Sequence, residues 1–250
     1  MKKLTSIRVR REFPEGTSLY KAHLRLKRLE LENVYEDGSC SEPYPCDIIE
    51  RDGVDAVAVI LFAKGTDGRI RIGFREAPRP PLYFRKDEAL AVPDQRVYLA
   101  LHEIVAGKVE PGDSGFEGLR KRAAREVLEE AGFRVRPEDV FFLGGGVFSS
   151  PGTTPEKVFL AAVEVDPSSG LSEPEGDGTV MERDGRIVFL DLGEAILKFR
   201  RGELEDAKAE VGLVRLSEKL GYIPALDLFL EELPEELGKR FKSFQKKSFL

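Results

Sequence analysis

The sequence predicts a mixed α/β sandwich preceded by a small antiparallel β domain, and three features carry that expectation. The stretch VDAVAVILFA from Val54 is apolar at nearly every position, and a turn containing Gly65, Asp67 and Gly68 joins it to the alternating Ile70, Ile72 and Phe74. That is the pattern of a hairpin with one strand buried on both faces. Phe116, Leu119, Ala123, Val127 and Ala131 recur at helical intervals between Ser114 and Gly132. Apolar strands near 140–148, 157–165 and 186–192 then give way to helices near 193–201, 206–220 and 224–233. Strands flanked by a few separated helices make a layered α/β architecture.

In chain order, the first segment reads as two antiparallel strands. Ile7 and Val9 alternate with polar residues, as do Leu24 and Leu26, and a shift at Lys27-Arg28 before Leu29 and Leu31 suggests a β-bulge. Residues 36–53, EDGSCSEPYPCDIIERDG, have turn chemistry at both ends and read as a linker. They divide a β domain over 1–52 from a main domain over 53–235. Ala77 to Pro93 is a Pro-rich insertion, after which VYLALHEIVAG leads to the helix. Ser114 and Glu117 have capping-box spacing and Gly132 is a stop signal, which bounds one helix of about 17 residues. Residues 236–250 form a basic tail with Phe241 and Phe244 at helical spacing. A last helix packing its aromatics on the protein is the reading preferred there over a nucleic-acid or membrane role.

A chain of 250 residues with 41% hydrophobic side chains can bury a substantial core. No run approaches the ~20 apolar residues of a membrane-spanning helix, and no apolar signal-peptide core follows the opening MKKLT. A cytoplasmic location without a membrane partner is expected. Cys40 and Cys46 read as two free loop thiols. With His23 and His102 as the only imidazoles, zinc has too few donors, so a metal here is expected to be a hard cation held by oxygen. The net charge of −6 argues against a general grip on nucleic acid.

The helix carries Arg125-Glu126-Val127-Leu128-Glu129-Glu130-Ala131-Gly132-Phe133. Each residue advances a helix by ~100°, so Glu126, Glu129 and Glu130 cluster on one flank. Three such carboxylates repel one another, and a divalent cation turns that cost into an oxygen-rich site of the kind Mg²⁺ prefers. The alternative is a solvated acidic face paired with Arg122 and Arg125.

This stretch resembles the Nudix box. There a Gly, five residues and a Glu are followed by seven residues and then by Arg-Glu, an aliphatic residue, any residue, Glu-Glu, any residue and Gly. The second half matches throughout, from Arg125 to Phe133. Upstream, Gly107 begins GKVEPGD, which places Asp113 at the family's first Glu and leaves four extra residues before Arg125. Aligning backward from Arg125 puts Glu117 and Pro111 at those two positions instead.

Resemblance to the Nudix superfamily, and within it to ADP-ribose and nucleoside diphosphate sugar pyrophosphatases, implies the Nudix fold, a mixed-sheet α/β/α sandwich. It also implies a hydrolase dependent on Mg²⁺, or Mn²⁺ in its place, that cleaves a phosphoric anhydride to give a nucleoside monophosphate and a sugar phosphate. By the same resemblance Glu126 and Glu130 are the principal metal ligands, Glu129 a further one, and the carbonyl of Ala106 an additional oxygen. Arg125 would orient the carboxylates, and Glu103 matches an acidic position on the substrate side.

Downstream, Ser150-Pro151-Gly152 with Glu156 resembles the segment that approaches the diphosphate in that branch. The acidic loop Gly170–Asp177 resembles the one carrying the catalytic base, for which Glu175 is the first choice and Glu173 and Glu182 are alternatives. Arg75, in GFREAPRPP, matches an Arg that reaches phosphate or ribose. Cys46-Asp47 stands where ADP-ribose enzymes place an Arg-Glu pair against adenine. NADH, dinucleoside polyphosphates or coenzyme A remain alternative substrates, and a non-catalytic nucleotide-sensing module is a reading from another class. The N-terminal strands imply a homodimer by strand exchange, although a monomer with those strands folded back on its own catalytic domain would read the same.

Overall fold

The computed structural model describes Arg10, residues 24–169 and residues 185–248, without the side chains from 243 onward. The expected strand at Ile7 and Val9 lies outside them, as do His23, the whole acidic loop over 170–177 with Glu173 and Glu175, and Glu182. The described residues build a mixed eight-stranded sheet between helices, and a separate two-stranded antiparallel sheet near the N-terminus.

That small sheet pairs β1 (Arg25–Leu31) with β2 (Tyr44–Glu50). Two expectations are corrected here. The register runs without interruption from Arg25 opposite Glu50 to Leu31 opposite Tyr44, so the extra residue of a bulge is absent along these strands. Much of the stretch read as a linker is β2 itself, because Cys46, Ile48 and Ile49 find partners in Leu29, Lys27 and Leu26.

Alternation along β3 (Ala56–Lys64) organises the main core. Ala58, Ile60 and Phe62 face α3 (Leu192–Arg200) and α4 (Ala207–Leu220), while Val57, Val59 and Leu61 face α2 (Gly115–Ala131). Successive side chains of a strand point to opposite faces, so a strand apolar throughout needs a helical layer on each side. Burying each Ile, Leu or Phe in those layers stabilises the fold by roughly 1.5–3 kcal/mol before cavity and strain effects.

Antiparallel β4 (Ile70–Pro78) and parallel β9 (Lys157–Glu164) flank β3 over part or all of its length, and β10 (Arg186–Asp191) extends the sheet beyond β4. β3 and β4 remain paired only between Leu61–Lys64 and Ile70–Gly73. Past that point β5 (Ala100–Glu103) runs beside β4 and β6 (Val105–Lys108) beside β3, with Ile104 turned into the core at the bend between them. This fork, wedged open by one bent strand, is the platform for the site. The segment before β5 is ordered by a short helix α1 (Pro80–Tyr83) and by Arg96, whose guanidinium donates to the Glu203 carbonyl at 3.1 Å.

α2 spans the expected 17 residues and ends at Gly132, whose φ of 74° is open to glycine without a Cβ clash. Its expected capping box does not form: Ser114 makes no side-chain cap, and Glu117 accepts from Lys121 at 2.7 Å instead. The chain enters through Gly115 at φ 62°, where a capping box requires right-handed geometry. The long first turn has its own use, since Phe116 packs edge-on against Phe142 with centroids 5.0 Å apart.

Three further elements differ from expectation. The strand near 140–148 is broken into β7 (Phe141–Phe142) and β8 (Val147–Phe148), because Gly144, Gly145 and Gly146 interrupt it. The helix near 224–233 is instead the hairpin β11 (Tyr222–Ile223) with β12 (Leu228–Phe229), followed by a 3₁₀ turn. Pro224 and the left-handed Asp227, at φ 54°, shape that turn. Last, α5 (Glu235–Ser248) forms in the basic tail, with Phe241 exposed where a packed aromatic was expected.

Candidate active site

The site lies where α2 crosses the β5–β6 bend. Glu126 and Glu130 are one helical turn apart on the flank of α2 that faces β6. Gly107 makes their approach possible: a Cβ built there would overlap the Glu126 carboxylate, which rests against the strand backbone. Any other residue at 107 would expel that carboxylate, so a glycine in mid-strand, ordinarily a loss, here serves the site.

Next along the strand, the Ala106 N–H donates to Glu130 Oε2 at 3.1 Å. Ala106 stands opposite Ala58 in the ladder but spends its N–H on the helix. Both main-chain groups of a strand residue point to the same side, so the Ala106 carbonyl also faces away from β3 and into the fork. On β4, Arg75 is 3% exposed and brings Nη1 to 3.5 Å from Glu130 Oε1; Glu130 is 9% exposed. A Cβ at Gly185 would come within 2.9 Å of that guanidinium, so the chain lies directly over it.

Sequence reasoning placed Arg122 only among the partners of a solvated acidic face. The residue is 6% exposed, donates from Nε to Asp113 at 2.8 Å, and pairs with Glu110 at 2.9 Å and Glu126 at 3.4 Å. It ties the loop before α2 to the carboxylate flank, the role expected of Arg125. Arg125 instead lies exposed and bonds Glu129 at 2.7 Å. The signal for Arg122 was its position four residues before Glu126, but only the path of the loop brings Asp113 within its reach.

Burial first, then the charge of Glu130 and, less, of Glu129, pushes the Glu126 carboxyl up to about 7, against the relief given by Arg122. Despite its own partial burial, Asp113 is held below the ordinary range by the Glu110 N–H and Arg122. Among the described residues Glu110, Asp113, Glu126 and Glu130 share Arg75 and Arg122.

The other expected residues have partners elsewhere. Glu103 is buried beside the fork, held by Arg79 and by Lys208 at 3.5 Å. Burial opposes the charge on Lys208, but Asp206 and Glu103 together keep its amine above the ordinary value. Glu156, before β9, is bound by Arg51 at the end of the small sheet. Pro151 and Gly152 lie in an exposed turn that Thr153 and Thr154 close on the Ser150 carbonyl at 3.0 Å. The Ile49 N–H donates to Thr153 O at 2.8 Å, so the N-terminal sheet rests on this turn. Arg51, Arg79 and Lys208 carry no local sequence signal, since their partners are distant in the chain.

The structure therefore brings together Arg75, Ala106, Glu126 and Glu130, and it gives Glu129, Glu103 and Glu156 cation partners of their own, with Glu103 opposite Arg75 in the β4–β5 ladder. Among the described residues, no group of three His, Cys, Asp or Glu side chains converges as a ready metal cage. Two carboxylates, a main-chain carbonyl and a cradle sized for them still fit a small hard cation, which retains several waters in place of protein ligands. The chain matches no protein-family model, and a search of curated proteins finds no match to it.

Proposed function

We propose that this protein is a Mg²⁺-dependent pyrophosphohydrolase of the Nudix type, acting on ADP-ribose or a related nucleoside diphosphate sugar and releasing a nucleoside monophosphate and a sugar phosphate. One observation carries the reading: half-buried Glu126 and buried Glu130 stand side by side, with Gly107 shaped to admit one and Ala106 bonded to the other. Burying adjacent like charges is costly, and a divalent cation is the counter-charge that relieves it. When bound, Mg²⁺ would neutralise the diphosphate and acidify an attacking water.

Within this reading Glu126, Glu130 and the Ala106 carbonyl hold the cation, Arg122 fixes the loop, and Arg75 holds Glu130 in place. Arg75 then acts on the carboxylate before it acts on substrate. The general base is assigned to Glu175, with Glu173 and Glu182 as alternatives. The four residues by which the box exceeds the family spacing are placed in the loop before α2, where Glu110 and Asp113 meet Arg122. A homodimer through the N-terminal sheet belongs to the same proposal, supported by Leu26 and Val34, each 72% exposed.

The test is incubation of the pure protein with Mg²⁺ and a panel of nucleoside diphosphate sugars and dinucleotides, with products read by mass. A nucleoside monophosphate and a sugar phosphate are expected from the preferred substrate. No phosphomonoester above a Glu130→Gln control would reject the proposal.

A further inference from the structure

We propose that α5 docks this protein on an anionic membrane surface. Leu237 and Phe241 are one turn apart on the same side of the helix and are 45% and 41% exposed. From Glu235 to Lys242 only Gly238 is buried, where the helix leans on the Leu230 carbonyl. Lys239 and Lys242 occupy the opposite side at ~100° per residue, and Arg240 lies on its border. The sequence continues the pattern with Phe244, Lys246 and Lys247.

A helix of 14 residues is marginal in water by itself, and an apolar stripe left this exposed among the described residues calls for another apolar phase. Charge selects the occupant. Lys239, Arg240, Lys242, Lys246 and Lys247 against Glu235 and Glu236 give α5 a net +3, in a chain whose formal charge is −6. An acidic body carrying one cationic amphipathic helix meets an anionic surface helix-first. Separation of the apolar stripe from the cations fits a helix lying in the headgroup plane, its stripe below and its lysines reaching back to water. RNA would recruit cations and aromatics on one side and leave Leu237 without a role. No described helix is long and apolar enough to cross a membrane, so the association is peripheral, reversible and salt-sensitive.

The experiment is co-sedimentation of the full-length protein with vesicles of phosphatidylcholine alone or mixed with phosphatidylserine, at low and high salt. Binding about tenfold stronger to the mixed vesicles is expected, weakened by salt. A Leu237→Glu/Phe241→Glu variant, altered only at exposed positions, should lose binding, and Lys239→Gln/Arg240→Gln/Lys242→Gln should lose preference for the anionic lipid. Equal binding to both vesicles, or retention by the Leu237→Glu/Phe241→Glu variant, overturns the proposal. So does a dimer in light scattering that the same variant abolishes while no vesicle binding occurs, or tight binding of single-stranded RNA in place of vesicles.

Discussion

Two sets of buried or half-buried carboxylates differ in how their charge is met. Glu103 and Glu156 each have cations of their own, Arg79 with Lys208 for the first and Arg51 for the second. Those pairs pin the insertion, the first turn of α4 and the N-terminal sheet to the main sheet, which is a structural task. At the α2 flank, Arg122 is divided among Glu110, Asp113 and Glu126, and Arg75 leans on Glu130. Among the described residues four acids there share these two guanidiniums. A carboxylate supplied with its own cation holds the fold, and one that shares its cations with neighbouring acids in a sheltered cradle is available for chemistry.

The sharpest way to break that contrast is to neutralise one acid in each set. Glu130→Gln is expected to lower kcat on the order of 10³-fold with secondary structure unchanged by circular dichroism. Glu103→Gln is expected to act mainly on stability; a loss of kcat as large as that of Glu130→Gln would erase the distinction. Gly107→Ala comes next. Its methyl group would displace the Glu126 carboxylate, and Mg²⁺ affinity measured by calorimetry is expected to fall about 10- to 100-fold. Unchanged affinity in a folded Gly107→Ala protein would detach Glu126 from the metal.

The layered fold was legible in the sequence because burial on both faces leaves β3 apolar throughout and burial on one face gives α2 its period. The acid flank was legible for the same reason, as three residues spaced within two turns of one helix. What was hidden depends on meetings between distant segments. Cys46 to Glu50 looked like a linker because a strand rich in Pro and charge is recognised only beside its partner β1. Arg122 read only as a partner on a solvated face because its burial arises when the loop folds Asp113 and Glu110 over it. Arg125, the expected orienting group, proved to be on the solvent side, where i,i+4 spacing to Glu129 was the stronger local attraction.

The pH dependence of stability sharpens the comparison further. The Glu126 carboxyl stands near 4.5 when exposed and at about 7 in the fold, so between those values the folded state binds more protons than the unfolded one. Its contribution is therefore fully present below pH ~4.5 and is lost as pH rises through about 7, a change on the order of 2 to 3 kcal/mol. Denaturant melts in EDTA at pH 5 and pH 8 should show this as a difference between wild type and Glu126→Gln, since other groups titrate in both. Mg²⁺ is expected to restore wild-type stability at pH 8 and to do little for Glu126→Gln. An identical pH response in the two proteins would mean that Glu126 is solvated, and the cradle at Gly107 would lose its significance.

The smallest effect belongs to the pair facing solvent. Arg125→Ala removes a bond to Glu129 between one exposed and one half-exposed side chain, worth within about 0.5 kcal/mol of stability because water and salt screen it. The change also frees Glu129, which then stands one residue from Glu130 with no cation of its own from Arg125. If Glu129 is a latent metal ligand held aside by Arg125, Mg²⁺ affinity should rise slightly in Arg125→Ala, and Glu129→Gln should abolish the gain. A fall in affinity would instead make Arg125 an orienting group for the whole flank, and the division between Arg122 and Arg125 drawn from burial would be wrong.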